Sequence, residues 1–175
     1  VLSVVGFAAD GKSVAESLDT IVKGYKFKHG KAMGIEACAQ RLSILLYQKR
    51  FFPYQVQAIL GGIDREGKGA LFSYDPVGCI EREACRCAGA AASLMMPFLD
   101  NQVNFNNQYV RGAEESTALQ ERLREPLSTG TVLDLVKDAF DNATERHIEV
   151  GDGIQILLVS KDGGIEESFT PLKKD

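Results

Sequence analysis

Ile154-Gln155-Ile156-Leu157-Leu158-Val159 is the most informative segment of this 175-residue chain. Read as a strand, it turns Ile154, Ile156 and Leu158 to one face and Leu157 and Val159 to the other. A strand that is apolar on both faces is expected to be covered on both. Helices can cover one face, and a second sheet is the natural cover for the other. Lys161-Asp162-Gly163-Gly164 then reads as a turn, with Ile165 to Phe169 as the return strand.

The segments on either side fit a layered arrangement. Upstream, Thr131 with Asp134 resembles a helix-capping box, and the helix behind it aligns Leu135, Val136, Ala139, Phe140 and Ala143. Small residues from Ala88 to Ala92 lead into a close-packing helix with Leu94, Met95, Phe98 and Leu99, and Pro97 falls in its first turns or at a kink. The polar stretch Asn104 to Pro126 is long for a structureless loop, so part of it is expected to be helical or bound to a partner, and it is a candidate contact region. So is the tail from Pro171 to Asp175.

At the front, Val1 to Val5 reads as a strand. Asp10 to Lys28 reads as a helix with Val14, Leu18, Ile21, Val22 and Tyr25 on one face, ended by Gly30. A second helix carries Ile35, Cys38, Leu42, Leu45 and Leu46 and closes before Pro53. The period then changes: Tyr54 to Ala58 alternates, Asp64 to Gly67 turns, and Ala70 to Tyr74 returns. Asp75 to Gly78 turns again into a short strand, Cys79 to Glu83. Strand, helix pair, strands, helix pair, strands predicts an α+β fold with helix–sheet–sheet–helix layers.

Composition narrows the function classes. Hydrophobic residues make up 45% and charged residues 25%, values ordinary for a globular domain. A net charge of -4 supplies no basic field for nucleic acid or an anionic membrane. No apolar run approaches the ~20 residues of a membrane-spanning helix, and the start has no signal-peptide pattern. Cys38, Cys79, Cys85 and Cys87 are scattered, and read as reduced thiols rather than a disulfide framework.

The candidate chemical motifs are weak. Gly62 to Lys68 has phosphate-loop spacing, but Gly69 follows in place of Ser or Thr, and Asp64 and Glu66 put negative charge where phosphates would sit. A tight turn is the better reading. Cys79, Cys85 and Cys87 lack the second ligand pair that structural zinc needs, and His29 and His147 lie far off, so no metal is expected. His147 between Glu145 and Glu149 could serve as a base, but no nucleophile is evident. Asn142-Ala143-Thr144 is a glycosylation sequon inside a predicted helix and carries no weight. Gly130-Thr131 resembles the junction that exposes an N-terminal threonine nucleophile, but too little chain follows it, and Thr131 reads better as a helix cap.

Five strings give the chain a family resemblance: Gly6 to Gly11, Arg50 to Asp64, Gly67 to Gly78, Gly89 to Phe105 and Ala143 to Gly163. Through them it resembles the proteasome β subunits, and among these the non-catalytic members. The resemblance implies a four-layer αββα sandwich of the N-terminal-nucleophile hydrolase type, with residues 1–175 a single domain lacking its first N-terminal strands. It implies a structural place in the seven-membered β ring of the 20S core particle, beside the α ring and indirectly the regulatory particle. That place is in intracellular protein degradation, in cytoplasm and nucleus, with no cofactor, nucleic acid or membrane. Active members use an N-terminal threonine, with an Asp and a Lys on early strands, a Ser before the third helix, and an Asp and a Ser after the fourth. The last three would fall near Ala90, His147 and Val150, none of which matches, so no catalytic residue is assigned. The alternative is an active threonine hydrolase whose nucleophile lies upstream of Val1.

Overall fold

The computed structural model describes residues 1–108, 126–162 and 164–172. In chain order these form β1 (Leu2–Gly6), α1 (Ala8–His29), α2 (Ile35–Tyr47), β2 (Val56–Ile63), β3 (Gly69–Tyr74) and β4 (Ile80–Glu83). α3 (Ala92–Gln102), α4 (Thr129–Arg146), β5 (Gly153–Ser160) and β6 (Gly164–Pro171) follow. The chain divides into two compact units, Val1–Gly89 with Leu157–Glu167, and Ala90–Ile156 with Ser168–Asp175.

The first unit is built on an antiparallel sheet in the order β1-β2-β3-β4. Its register sets Val4 opposite Ala58, and Ala58 opposite Tyr74. Alternation therefore places Val56, Ala58, Leu60, Ala70, Phe72 and Tyr74 on one face, where all six are buried. α1 and α2 cover that face with Val14, Leu18, Ala39, Leu42 and Leu46. Val14, Leu42 and Leu46 are fully enclosed, so these helical stripes form the centre of the core.

The helix boundaries have local causes. α1 stops at Gly30, whose left-handed backbone (φ 67°) lets its N–H donate to the Lys26 carbonyl at 2.8 Å. α2 ends at Tyr47, earlier than Pro53. There the backbone tightens to three-residue steps, with Lys49 N–H donating to Leu46 O and Arg50 N–H to Tyr47 O. β2 starts at Val56, after Tyr54 and Gln55 of the expected strand, and runs beyond Ala58 to Ile63, held by its ladders with β1 and β3. Pro97 lies inside α3, past its first turn.

Sheet and helices also meet through polar contacts. The buried Tyr74 hydroxyl donates to the Ala39 carbonyl of α2 at 2.8 Å, and burial, with Cys38 nearby, pushes its pKa far up. Ser43 Oγ donates to the Gly78 carbonyl at 2.6 Å. Gly78 has φ +88°, and a Cβ there would collide with the Ser43 carbonyl. Glycine is thus required twice, for its backbone angle and for the close approach of the β3–β4 turn to α2. At the opposite end of α1, Phe7 N–H donates to Gln55 O at 2.8 Å and Gln55 N–H to Asp10 Oδ2 at 2.9 Å.

In the second unit α3 packs on α4, burying Leu99, Ala139 and Ala143. The expected Thr131 cap is corrected here: the helix begins at Thr129, and Ser128, three residues before Thr131, is the cap. Its Oγ accepts the Thr131 N–H at 3.2 Å. β5 and β6, each divided between the two units, form a two-stranded sheet. Ile154 is buried at 4% exposure, but Leu157 on the other face is 41% exposed, short of the cover expected for it. Among the described residues β5 pairs only with β6, most of which is itself exposed.

Gly78→Ala should lower stability by at least about 2 kcal/mol, the order of a left-handed penalty with a steric clash added. Gly24→Ala should raise it by roughly 0.5–1 kcal/mol, because Gly24 sits in α1 with open space around its Cβ position. Urea midpoints of the two variants should move in opposite directions.

Candidate functional site

The sheet face turned away from α1 and α2 carries a hollow lined in part by polar side chains. It encloses about 370 Å³ and is lined by Gln57, Ile59, Ser73, Glu81, Arg86 and Cys87, among others. Ser73 alternates with the core residues Phe72 and Tyr74, which puts its hydroxyl on this second face. Leu71 stands opposite Glu83 across the ladder, so Ser73 and Glu83 are diagonal neighbours.

A clasp forms from that register. Ser73 Oγ donates to Glu83 Oε2 at 2.6 Å, and Arg86 Nε donates to the same oxygen at 2.6 Å. Arg86 Nη2 donates to Glu83 Oε1 and lies 3.7 Å from Glu81 Oε2. This fork-on-fork pairing folds the chain back as it leaves β4. The Arg86 hydrogen bond holds the Glu83 carboxyl below its usual range; partial burial opposes this and the Ser73 hydroxyl reinforces it. A carboxylate fully engaged by a guanidinium cannot take a proton from Ser73 near neutral pH, so the hydroxyl is not activated as a nucleophile. Sequence reasoning missed this cluster, because only the strand register brings Ser73 to Glu83.

The structure keeps the sequence-derived candidates apart. Within Gly62 to Lys68, Gly62 and Ile63 end β2 and Asp64 to Lys68 form the β2–β3 hairpin turn, not a strand-to-helix loop. Asp64 Oδ1 accepts the N–H groups of Glu66 (3.0 Å) and Lys68 (2.9 Å), and Oδ2 accepts Arg82 Nη2 at 2.7 Å. The Asp64 carboxylate thus occupies the backbone donors that a phosphate would need, and the Arg82 hydrogen bond keeps its pKa low.

Thr131 lies in the first turn of α4, its hydroxyl 2.8 Å from Ser128 Oγ. His147 caps the other end of the same helix, and sixteen residues of rise at 1.5 Å set the two about 24 Å apart. His147 Nδ1 accepts the Glu149 N–H at 3.2 Å, and Val150 N–H returns to the His147 carbonyl at 3.2 Å. Ala90 is exposed in the turn before α3. His29 stacks on Tyr25 with ring centroids 4.4 Å apart. Asn142 sits within α4.

The four cysteines form no disulfide with one another, and burial pushes the Cys38 thiol pKa up. Among the described residues no group of three or more His, Cys, Asp or Glu could hold a metal ion. No helix among them is long and apolar enough to cross a membrane. Residues 109–125 of the Asn104 to Pro126 contact candidate lie outside the described residues, as do residues 173–175 of the tail candidate.

Because the Glu83 pKa is lowered in the folded chain, its contribution to stability is complete above the unfolded-state value of about 4.3. It is lost as pH falls through the lower folded value. Acid titration followed by NMR at the Glu83 carboxyl and the Arg86 Nε–H should show one shared transition below that of a free glutamate. Glu83→Gln should abolish it.

Comparison with known proteins accounts for the scaffold and for most of the strings singled out above. A family model described as "Proteasome subunit" matches residues 1–116. "Proteasome subunit beta type-6" of Saccharomyces cerevisiae is 51% identical over 179 aligned residues, spanning 100% of this chain and 71% of that protein. "Proteasome subunit beta inpE" of Emericella nidulans is 51% identical over 175 residues, covering 100% of this chain and 73% of its own. "Proteasome subunit beta type-1" of Danio rerio is 38% identical over 175 residues, covering 100% and 69%. Identity at this level along the full chain shows that it belongs to the proteasome subunit family, as a β subunit with the mixed helices and sheets of the N-terminal-nucleophile hydrolase fold.

Proposed function

We propose that this chain is a non-catalytic structural subunit of the 20S proteasome core particle. It takes a place in a seven-membered β ring against the α ring and meets the regulatory particle only through that assembly. Its work is intracellular protein degradation, in cytoplasm and nucleus, and it contributes surfaces rather than chemistry. The observation that carries the reading is the 51% identity to the yeast β type-6 subunit along the whole chain.

Residues 1–175 act in this reading as one domain of an αββα sandwich. Two features support it: α1 and α2 lie over one face of the four-stranded sheet, and α3 packs on α4. The site residues support the non-catalytic part. Ala90 and Val150 have no side-chain donor or acceptor for a proton relay. His147, where active members carry an aspartate, is spent on the Glu149 N–H. The carboxylate beside Ser73, Glu83, is held by Arg86 and is a poor proton acceptor for its hydroxyl. No observation favours the alternative of an active threonine hydrolase.

Treating the intact particle with a threonine-reactive electrophile tests this reading. Peptide mapping should find adducts on other β subunits and none on this chain. An adduct on this chain that forms in step with loss of peptidase activity would contradict it.

A further inference from the structure

Tyr47, Phe51 and Phe52 crowd the corner between α2 and β2, at 57%, 94% and 86% exposure. The three-residue backbone steps after Tyr47 turn these rings outward instead of continuing a helical stripe into the core. Arg50 lies among them, its guanidinium carbon 5.8 Å from the Tyr47 ring centroid and 5.4 Å from that of Phe51. Lys49 Nζ sits 4.9 Å from the Tyr54 ring centroid. Neither cation meets a carboxylate within ion-pair distance among the described residues. From Ala37 to Ile63 the sequence contains no Asp or Glu.

We propose that this corner seats a carboxylate-bearing apolar segment of an adjoining proteasome subunit, an inference that rests on the assembly reading above. Nearly bare phenylalanines gain from burial, and aromatic rings with arginine are the side chains that dominate protein interfaces. The rings hold the guanidinium in place before binding, so a partner carboxylate meets a donor fork that is already oriented. Charge selects the occupant. A second copy of this chain joined through the same patch would bring Lys49 and Arg50 against their own likenesses, whereas an acidic segment complements them. Stacking rings beside cations also suit single-stranded nucleic acid, but two cations on a chain of net charge -4 make a weak electrostatic track.

The test is made on the assembled particle. Hydroxyl-radical footprinting should show Phe51 and Phe52 oxidised several-fold more slowly in the particle than in the dissociated chain. A zero-length carbodiimide should couple Lys49 to an Asp or Glu of another subunit. In cells expressing both forms, Phe51→Ser with Phe52→Ser should enter particles about tenfold less than the parent chain, and since both rings are exposed the variant should keep its fold. Equal reactivity of both rings in particle and free chain would overturn this inference while the assembly reading stands. Protection that leaves Lys49 linked to no carboxylate would overturn the acidic occupant, and protection of the free chain by single-stranded RNA would overturn a protein occupant. A chain found in no proteasome particle would sink both readings.

Discussion

Everything in the first unit depends on bringing two helices close enough to bury one face of a four-stranded sheet. Val56, Ala58, Leu60, Ala70, Phe72 and Tyr74 form one buried cluster with Val14, Leu18, Leu42 and Leu46. The approach leaves no space for a side chain at Gly78, and it brings two polar bonds, Tyr74 to Ala39 and Ser43 to Gly78, into register. These bonds are specific where the apolar contacts are not, so they fix how far α2 slides along the sheet. The outward turn at Tyr47 follows, because α2 must end where the chain re-enters the sheet as β2.

The opposite face of the same sheet is polar in a different way. Its serine, glutamate and arginine satisfy one another, and the result is a mechanical clasp at the exit of β4 rather than a reactive group. An arginine held two-pronged on a carboxylate is stable and chemically quiet.

Much of this was legible in the sequence, for identifiable reasons. α1 and α2 announced themselves through 3.6-residue spacing of Val14, Leu18, Leu42 and Leu46, and Gly30 marked a true stop. The Gly62 to Lys68 turn was readable because Asp64 and Glu66 are wrong for phosphate. Other features escaped because they depend on distant partners. Ile59 gave no alternation signal, so β2 looked shorter than it is. The cap at Ser128 was hidden behind a second capping pattern at Thr131 three residues later, and the choice between them rests on where the helix begins. The Ser73–Glu83–Arg86 clasp requires the β3–β4 register, which no local pattern encodes. Leu157 looked buried because the strand is apolar on both faces, yet it is 41% exposed.

The family resemblance carried the functional reading where local chemistry was silent, since residue types alone led no further than an α+β domain without a catalytic constellation. The account therefore stands or falls on what the chain travels with. Native mass analysis of the complex recovered from its source should find this chain inside a particle that also contains the other α and β proteasome subunits. Recovery as a monomer, or as an assembly of this chain alone, would contradict it.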